Sequence, residues 1–190
     1  KSLDKQEKML FEKSLDRFNK ICLLAHEKNV RVLVDAEESW IQNAIDEIVL
    51  SMMMKYNKEK AIVFNTSQMY RHDRLNYLKT LHDKALKNNF FVGVKLVRGA
   101  YIEKENRRAR RNNYLSPICS SKELTDQNFN NGVSYILSNL DRISLFSGTH
   151  NEDSIYKIIN IMDTKKINRD DPKIWFGQLY GMSDNITFNL

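Results

Sequence analysis

Five short apolar segments, separated by stretches with helical periodicity, constrain the fold of this chain of 190 residues more than any other feature. The segments are rich in β-branched and aromatic residues, and near-continuous apolar runs of this length are typical of parallel strands that are buried on both faces. They lie at residues 30–34, 61–64, 91–97, 143–146 and 174–176. They begin about 30 residues apart, with one interval of about 50, and 30 residues is the length of a strand–helix–strand unit. The alternation therefore predicts a parallel sheet with right-handed crossovers.

The stretches between these segments repeat apolar residues at i, i+3, i+4 and i+7, as amphipathic helices do. The predicted apolar stripes are Phe11, Leu15, Phe18, Cys22 and Ala25; Ile41, Ala44, Ile45, Ile48 and Met52; Leu75, Leu78 and Ala85; Phe129, Val133, Ile136 and Leu140; and Ile155, Ile158, Ile159 and Met162. No linker or change in composition divides the chain, so we expect residues 1–190 to belong to a single domain.

Two architectures place helices against a parallel sheet. A dinucleotide-binding open sheet needs a Gly-x-Gly-x-x-Gly turn after an early strand, and the sequence has none. A (β/α)8 TIM-type barrel needs no such turn, and its eight units take about 250 residues. Five units are too few to close it. The sequence therefore predicts an α/β fold that comprises about five central units of an incomplete barrel.

Composition excludes several other classes of protein. The chain is 42% hydrophobic and 28% charged, with 2 prolines and 6 glycines, which excludes a disordered or collagen-like chain. No apolar run approaches the roughly 18 residues that a membrane-spanning helix needs. The cysteines, Cys22 and Cys119, are too few for a disulfide scaffold or a zinc cluster, and no histidine spacing suggests a metal site. The net charge of +6 permits an acidic partner without requiring one.

Polar residues follow each predicted strand. Asp35 follows the first strand and Gln68 the second, Lys95 and Arg98 lie at the end of the third, and His150 follows the fourth. The carboxyl ends of barrel strands meet at one rim, so we expect these side chains to converge. Two cations and a histidine at one rim suit a phosphate-bearing cofactor. Polar loops are also typical of any barrel, so the pattern alone leaves a purely structural interpretation open.

Several other motifs receive structural interpretations. His26, His72 and His82 lie in helical stretches beside charges, and we expect them to be solvated. The run 103–111 mixes charges at i, i+4 spacing, which predicts a solvated helix face. Its excess of arginine also permits contact with membrane or RNA, although no interleaved aromatic residues support nucleic-acid binding. Ser120 and Glu123 predict a capping box, and the three methionines at 52–54 predict core packing.

Blocks at the five strand ends carry a resemblance to a known family. They are Val34-Asp35-Ala36-Glu37-Glu38, Phe64-Asn65-Thr66-Ser67-Gln68-Met69-Tyr70, Lys95-Leu96-Val97-Arg98-Gly99-Ala100-Tyr101, Thr149-His150-Asn151-Glu152 and Phe176-Gly177-Gln178-Leu179-Tyr180-Gly181-Met182. In order and spacing they resemble proline dehydrogenase across essentially the whole chain. They are more similar to the monofunctional form of mitochondria and some bacteria than to the bifunctional bacterial enzyme.

The resemblance implies a (β/α)8 barrel that holds FAD, with the five strands as the third to the seventh. It implies oxidation of L-proline to 1-pyrroline-5-carboxylate by hydride transfer to the flavin N5, with electrons passed to a membrane quinone in proline catabolism. It also implies peripheral association with the bacterial cytoplasmic membrane or a place at the mitochondrial inner membrane or matrix, and no nucleic-acid partner.

The resemblance also assigns roles to residues of this chain. The implied catalytic pair is Asp35, buried under the substrate, and Lys95, which stabilises the reduced flavin. The implied cofactor contacts are Ala36, Gln68, Lys95, Arg98, Gly99, Ala100, Thr149 and His150. Tyr101 and Leu179 are implied to pack against the proline ring, and no residue is implied to bind a metal.

Two departures from the family pattern bear on the substrate. The family holds the substrate carboxylate with a paired arginine after the eighth strand and a lysine on the second strand, and residues 1–190 contain neither. A guanidinium pair is the main holder of a carboxylate, so we expect these residues alone to bind proline weakly. In the family, the tyrosine that helps to reject hydroxyproline belongs to the eighth strand, which residues 1–190 also do not contain. Hydroxyproline dehydrogenase is therefore one alternative function, and a non-catalytic basic domain that binds membrane or RNA is another.

Overall fold

The five predicted strands form one parallel sheet in a computed structural model that describes residues 4–190. The strands are β1 (Val32–Val34), β2 (Val63–Gln68), β3 (Val92–Val97), β4 (Ile143–Gly148) and β5 (Ile174–Gly177). Their order in the sheet follows their order in the sequence. A doubly wound sheet reverses its strand order at a switch point, and this sheet does not. The order confirms the barrel-type architecture.

The sheet is curled, as a barrel requires. In a flat sheet, β1 and β5 would lie four strand spacings apart, about 19 Å. Instead, Arg31, the residue before β1, donates a hydrogen bond of 2.6 Å to the Pro172 carbonyl oxygen, just before β5. Its guanidinium also stacks on the Trp175 ring, 4.4 Å from the ring centroid. One arginine side chain therefore bridges the first and last strands.

Seven helices connect and flank the strands in the described residues. They are α1 (Lys5–Glu27), α2 (Ser39–Tyr56), α3 (Arg74–Asn88), α4 (Ile102–Arg111), α5 (Lys122–Leu137), α6 (Glu152–Thr164) and α7 (Asp184–Thr187). The long interval between the third and fourth strands holds two helices, α4 and α5, where each other crossover holds one.

Alternation along the strands separates the core from the barrel interior. Val92, Val94 and Leu96 of β3 belong to the buried cluster that packs against the helices. Lys95, between them, points to the other side of the sheet, where it is in register with Thr66 and Phe146. The central strands β2, β3 and β4 are mostly buried, as predicted, whereas the edge strands β1 and β5 are only partly buried because each pairs on one side.

The predicted apolar stripes of α3, α5 and α6 are largely confirmed, but two others need correction. In α2, the buried face is shifted by one position and comprises Gln42, Asp46, Val49, Met53 and Tyr56, while Ile41 is exposed. The shift arises because Asp46 is buried in an ion pair with a residue of α3. In α1, only Cys22 and Ala25 of the predicted stripe are buried, since the first half of this helix packs against little else.

Two smaller predictions were also wrong. His82 is buried, with its Nδ1 atom 2.9 Å from the Tyr135 hydroxyl, while His26 and His72 are exposed as predicted. The N-cap of α5 is Ser121 and not Ser120, since the Ser121 hydroxyl accepts the Leu124 N–H.

Candidate active site

A cavity of about 770 Å³ opens at the carboxyl ends of the five strands. Every residue predicted for the site lines it: Asp35, Ala36, Gln68, Lys95, Arg98, Gly99, Ala100, Tyr101, Thr149, His150 and Leu179. The prediction that these side chains lie together at one rim is therefore confirmed. Parallel strands explain it, because their carboxyl ends face the same way.

Lys95 and Asp35 form an ion pair on the side of the curled sheet that faces the cavity. The Lys95 Nζ atom lies 2.6 Å from Asp35 Oδ1, and the Lys95 side chain is 23% exposed. The Asp35 side chain is 75% exposed and lines the cavity, and its burial under a bound substrate stays a prediction. Asp35 follows the last residue of the short strand β1, where the backbone leaves the sheet and the carboxylate reaches solvent. Its contact with Lys95 agrees with a role in orienting a cation.

Gln68 joins the loops on either side of β2. Its Nε2 atom donates a hydrogen bond of 2.7 Å to the Glu37 carbonyl oxygen, and its Oε1 atom accepts one of 3.4 Å from the Ala100 N–H. The residue is buried. Both ends of the amide are thus held by backbone groups of the neighbouring loops, which fixes the orientation of Gln68 beside the cavity.

Arg98 is held by three protein contacts. Nε donates to Asp126 at 2.6 Å, Nη1 to Thr149 at 2.7 Å and Nη2 to Ser154 at 3.0 Å. The guanidinium lies 4.5 Å from the centroid of the Phe129 ring. A guanidinium has five N–H donors, so two remain for other acceptors. Arg98 therefore connects α5 with the start of α6 as well as lining the cavity.

The charge of Arg98 affects its acidic partner. Burial disfavours ionisation of Asp126, but hydrogen bonds from Lys122 and Arg98 outweigh burial, so the pKa of Asp126 lies below its ordinary value. A lowered carboxyl pKa means that the ionised form contributes stability above the unfolded-state pKa, near 4, and that this contribution is lost as the pH falls through the folded-state pKa. The ion pair between Arg98 and Asp126 is therefore intact at neutral pH.

The start of α6 forms another wall of the cavity. Asn151 caps this helix of 13 residues by accepting the Ser154 N–H at 2.9 Å. The exposed His150 ring lies beside it, with Nδ1 2.9 Å from the Ser183 hydroxyl. The amino-terminal end of a helix carries a partial positive charge that favours anions. This wall is therefore suited to a phosphate group.

The sequence prediction assigned no role to several residues that line the cavity. They are Glu37, Thr66, Val97, Lys122, Phe146, Gly148, Asn151, Gly177 and Gln178. Strand alternation could have found Thr66, which lies two positions before Gln68, and Phe146, which lies two positions before Gly148. Gln178 follows β5 directly, and its Nε2 atom lies 3.4 Å from the Thr149 carbonyl oxygen.

A buried polar network behind β2 was also missed. The Arg74 guanidinium binds both carboxylate oxygens of Asp46, at 2.8 and 3.2 Å. Asn65 and Gln42 donate to Asp46 Oδ1 at 2.8 and 2.9 Å. Burial raises the pKa of the neighbouring Tyr77, with the Asp46 charge as a further cause, so its hydroxyl stays protonated. The charged groups of this network are the Asp46 carboxylate and the Arg74 guanidinium, which are hydrogen-bonded to each other.

The run 103–111 is only in part the predicted solvated face. Its arginines are exposed on α4, but Glu105 is fully buried. The Glu105 carboxylate accepts the Ser39 N–H at 2.6 Å and the Ser39 hydroxyl at 2.7 Å, at the first residue of α2. An acidic side chain from α4 thus satisfies the amino-terminal end of α2, where Glu38 makes no side-chain cap.

Within residues 4–190, no group of three or more His, Cys, Asp or Glu side chains is arranged to hold a metal ion. In the same part of the chain, no helix has the length and apolar character that crossing a membrane requires.

Comparison with known proteins places the chain in a family. The family model described as proline dehydrogenase matches residues 2–190. The chain is 38% identical to the carbapenem antibiotics biosynthesis protein CarD of Pectobacterium carotovorum subsp. carotovorum, with 100% of this chain and 48% of that protein covered. It is 39% identical to the mitochondrial proline dehydrogenase 1 of Dictyostelium discoideum, with 92% of this chain and 32% of that protein covered. The chain thus spans half or less of these relatives.

A solved structure supports the same placement. Proline utilization A from Bdellovibrio bacteriovorus, inactivated by N-propargylglycine, superposes with a TM-score of 0.84 at 25% identity. The match covers 90% of this chain and 18% of that one. The family match extends over nearly all of the sequence, and the fold agrees with it. The chain therefore belongs to the proline dehydrogenase family.

Proposed function

We propose that this chain is the central part of a single barrel domain of an FAD-dependent enzyme that oxidises L-proline to 1-pyrroline-5-carboxylate. The observation that carries the proposal is the cavity at the strand ends, which gathers all the side chains that the family resemblance assigns to cofactor and substrate. Membership of the proline dehydrogenase family supplies the substrate class.

The cavity suits a flavin on the evidence of its own walls. The Thr66 hydroxyl lines it and is buried without a hydrogen-bond partner in the described residues, which is a costly state for a polar group unless a ligand supplies one. Gln68 and Ala36 place amide groups beside it, and Lys95 places a cation within it. A volume of about 770 Å³ is in the range of cofactor sites.

FAD, when bound, supplies the acceptor for the hydride that leaves the carbon next to the proline ring nitrogen. The chain supplies the surroundings. Lys95 contributes a positive charge where negative charge develops on reduction, and Asp35 orients the Lys95 ammonium through their ion pair. Tyr101 and Leu179 form an aromatic and aliphatic wall that can pack on a small ring and help to exclude water.

We also propose a membrane quinone as the electron acceptor, reached by peripheral association with the bacterial cytoplasmic membrane or the mitochondrial inner membrane. The support is family membership and the mitochondrial designation of the Dictyostelium discoideum relative.

The direct test is reduction of the protein-bound flavin by substrate. The full-length protein, expressed with riboflavin, is expected to be yellow. Under anaerobic conditions, L-proline is expected to bleach the ordinary flavin absorbance band, at about 450 nm. Bleaching by hydroxyproline in preference to L-proline would favour the hydroxyproline dehydrogenase alternative. A folded but colourless full-length protein would contradict a flavin function and favour the non-catalytic basic domain.

Replacement of Arg98 tests the cofactor-binding wall. Arg98→Ala removes two N–H donors that have no acceptor within residues 4–190, and it also releases Asp126, Thr149 and Ser154. We therefore expect flavin retention after dialysis to fall about tenfold or more. The exposed Arg111 at the end of α4 provides a control, and Arg111→Ala should retain the flavin. Undiminished flavin occupancy in Arg98→Ala would show that Arg98 does not support the cofactor.

A further inference from the structure

Glu37 is the point where three parts of the site meet. Its carbonyl oxygen accepts the Gln68 Nε2 hydrogen at 2.7 Å, and its N–H donates to Gln42 Oε1 at 2.9 Å. Its carboxylate Oε2 accepts the Tyr101 hydroxyl hydrogen at 2.8 Å. The backbone of Glu37 is thus tied to β2 and α2, while its side chain is tied to the loop that follows β3.

We propose that Glu37 is a positioning residue that fixes the Tyr101 ring, the wall against the substrate, relative to Gln68, the contact for the flavin. The inference rests on the proposed function and deepens it. Glu37 need not touch substrate or cofactor in this role, since it acts through Tyr101.

The contact has the properties that such a role needs. A hydroxyl that donates to a carboxylate makes a charge-assisted hydrogen bond, which is stronger and more directional than one between neutral groups. Tyr101 is only partly buried, so packing alone leaves its ring less constrained than a core aromatic. The hydrogen bond with Glu37 is the largest cause of the raised pKa of Tyr101, followed by burial, and the hydroxyl therefore stays a donor at neutral pH.

The loops themselves do not depend on this one contact. Lys104 of α4 forms an ion pair with Glu38, and the buried Glu105 binds both the N–H and the hydroxyl of Ser39. These contacts join the start of α2 to α4, the helices that follow the two loops, independently of the Glu37 carboxylate. Removal of that carboxylate should therefore release the Tyr101 ring while the loops remain in place, which separates a positioning role from a general structural one.

The test compares Glu37→Ala, Glu37→Gln, Tyr101→Phe and the double variant Glu37→Ala/Tyr101→Phe in the flavin-loaded full-length protein. We expect Glu37→Ala to raise KM for L-proline about five- to tenfold, with a smaller change in kcat. The dissociation constant of a non-oxidisable proline analogue, measured from the flavin spectrum, should rise by the same factor. Glu37→Gln keeps a neutral oxygen acceptor, which forms a weaker hydrogen bond, and should recover part of the loss.

The double variant decides whether Glu37 acts through Tyr101. Non-additive effects, with the double variant no worse than Tyr101→Phe, support the proposal, whereas additive effects overturn it. Flavin content should stay unchanged in all variants, and a loss of flavin in Glu37→Ala at unchanged KM would also overturn it. Glu103→Ala, which removes an exposed carboxylate of α4, is the matched control. A wild-type protein whose flavin is not reduced by L-proline overturns the proposed function itself, whereas a competent wild type with a normal Glu37→Ala variant overturns only this inference.

Discussion

Replacement of Lys95 by methionine is expected to make the bound flavin harder to reduce and to slow its reduction by L-proline at least tenfold. Lys95 is the cation inside the curled sheet, and its side chain is mostly shielded from solvent. Loss of a positive charge beside the flavin disfavours the negatively charged reduced form, and Asp35 offsets part of that charge in the wild type. At about 30 mV for 1.4 kcal/mol in a two-electron couple, the midpoint potential should fall by a few tens of millivolts.

The direction in which the flavin midpoint potential shifts in Asp35→Ala shows whether Asp35 acts through its charge or through packing. Removal of the carboxylate leaves Lys95 uncompensated, so the midpoint potential should rise while turnover falls, because the Lys95 ammonium loses its only described ion-pair partner in residues 4–190. Flavin content should change less than turnover.

Lys13→Met, on the exposed face of α1, is the control for a lysine-to-methionine change. An unchanged potential in Lys95→Met, measured by equilibration with a redox dye, would refute the electrostatic role.

The strand ends could be predicted from the sequence because one physical rule places them. Parallel strands with right-handed crossovers bring all their carboxyl ends to one rim, so Gln68, Lys95 and His150 share a cavity although about 80 residues separate the first from the last. Topology alone gives this result. The prediction needed only the strand positions, which apolar runs reveal, and not the exact strand limits.

Pairwise contacts at the site could not be predicted in the same way. The exposure of Asp35 depends on where the short strand β1 ends, and the ties of Arg98 to Asp126 and Ser154 depend on how α5 and α6 pack. Glu37 lay within a recognised block, but its bond with Tyr101 depends on two loops from non-adjacent strands. Such contacts are set by loop geometry, for which the periodicity of the sequence carries no signal.

Buried polar residues were missed because the prediction equates polarity with exposure. A helix stripe drawn through apolar residues of α2 selects Ile41 and Ile45, whereas the buried face contains Gln42 and Asp46. Asp46 can be buried only because Arg74 of α3 arrives with a matching charge, and neither residue reveals the other along the sequence. The same reasoning applies to Glu105, whose partner is a helix terminus.

Removal of Asp46 should therefore cause a large loss of stability. In Asp46→Ala, the Arg74 guanidinium, whose side chain is 2% exposed, keeps its charge but loses the carboxylate that binds it twice. Breaking a buried pair by removing one partner costs about 3–5 kcal/mol, because the remaining charge is left uncompensated. Asn65 and Gln42 also lose an acceptor. The free energy of unfolding in urea should fall by that amount.

Two comparisons show whether the uncompensated charge is the cause. Asp16→Ala breaks an exposed i, i+4 pair with Lys20 in α1 and should cost less than about 0.5 kcal/mol. The double variant Asp46→Leu/Arg74→Met removes both charges and keeps much of the buried volume, so it should be more stable than Asp46→Ala, since a buried ion pair replaced by apolar groups is often neutral. If Asp46→Ala were no less stable than Asp16→Ala, the charges of the network would contribute nothing. If the double variant were as unstable as Asp46→Ala, the loss would come from packing or from the acceptor for Asn65 and Gln42, and not from the unpaired arginine.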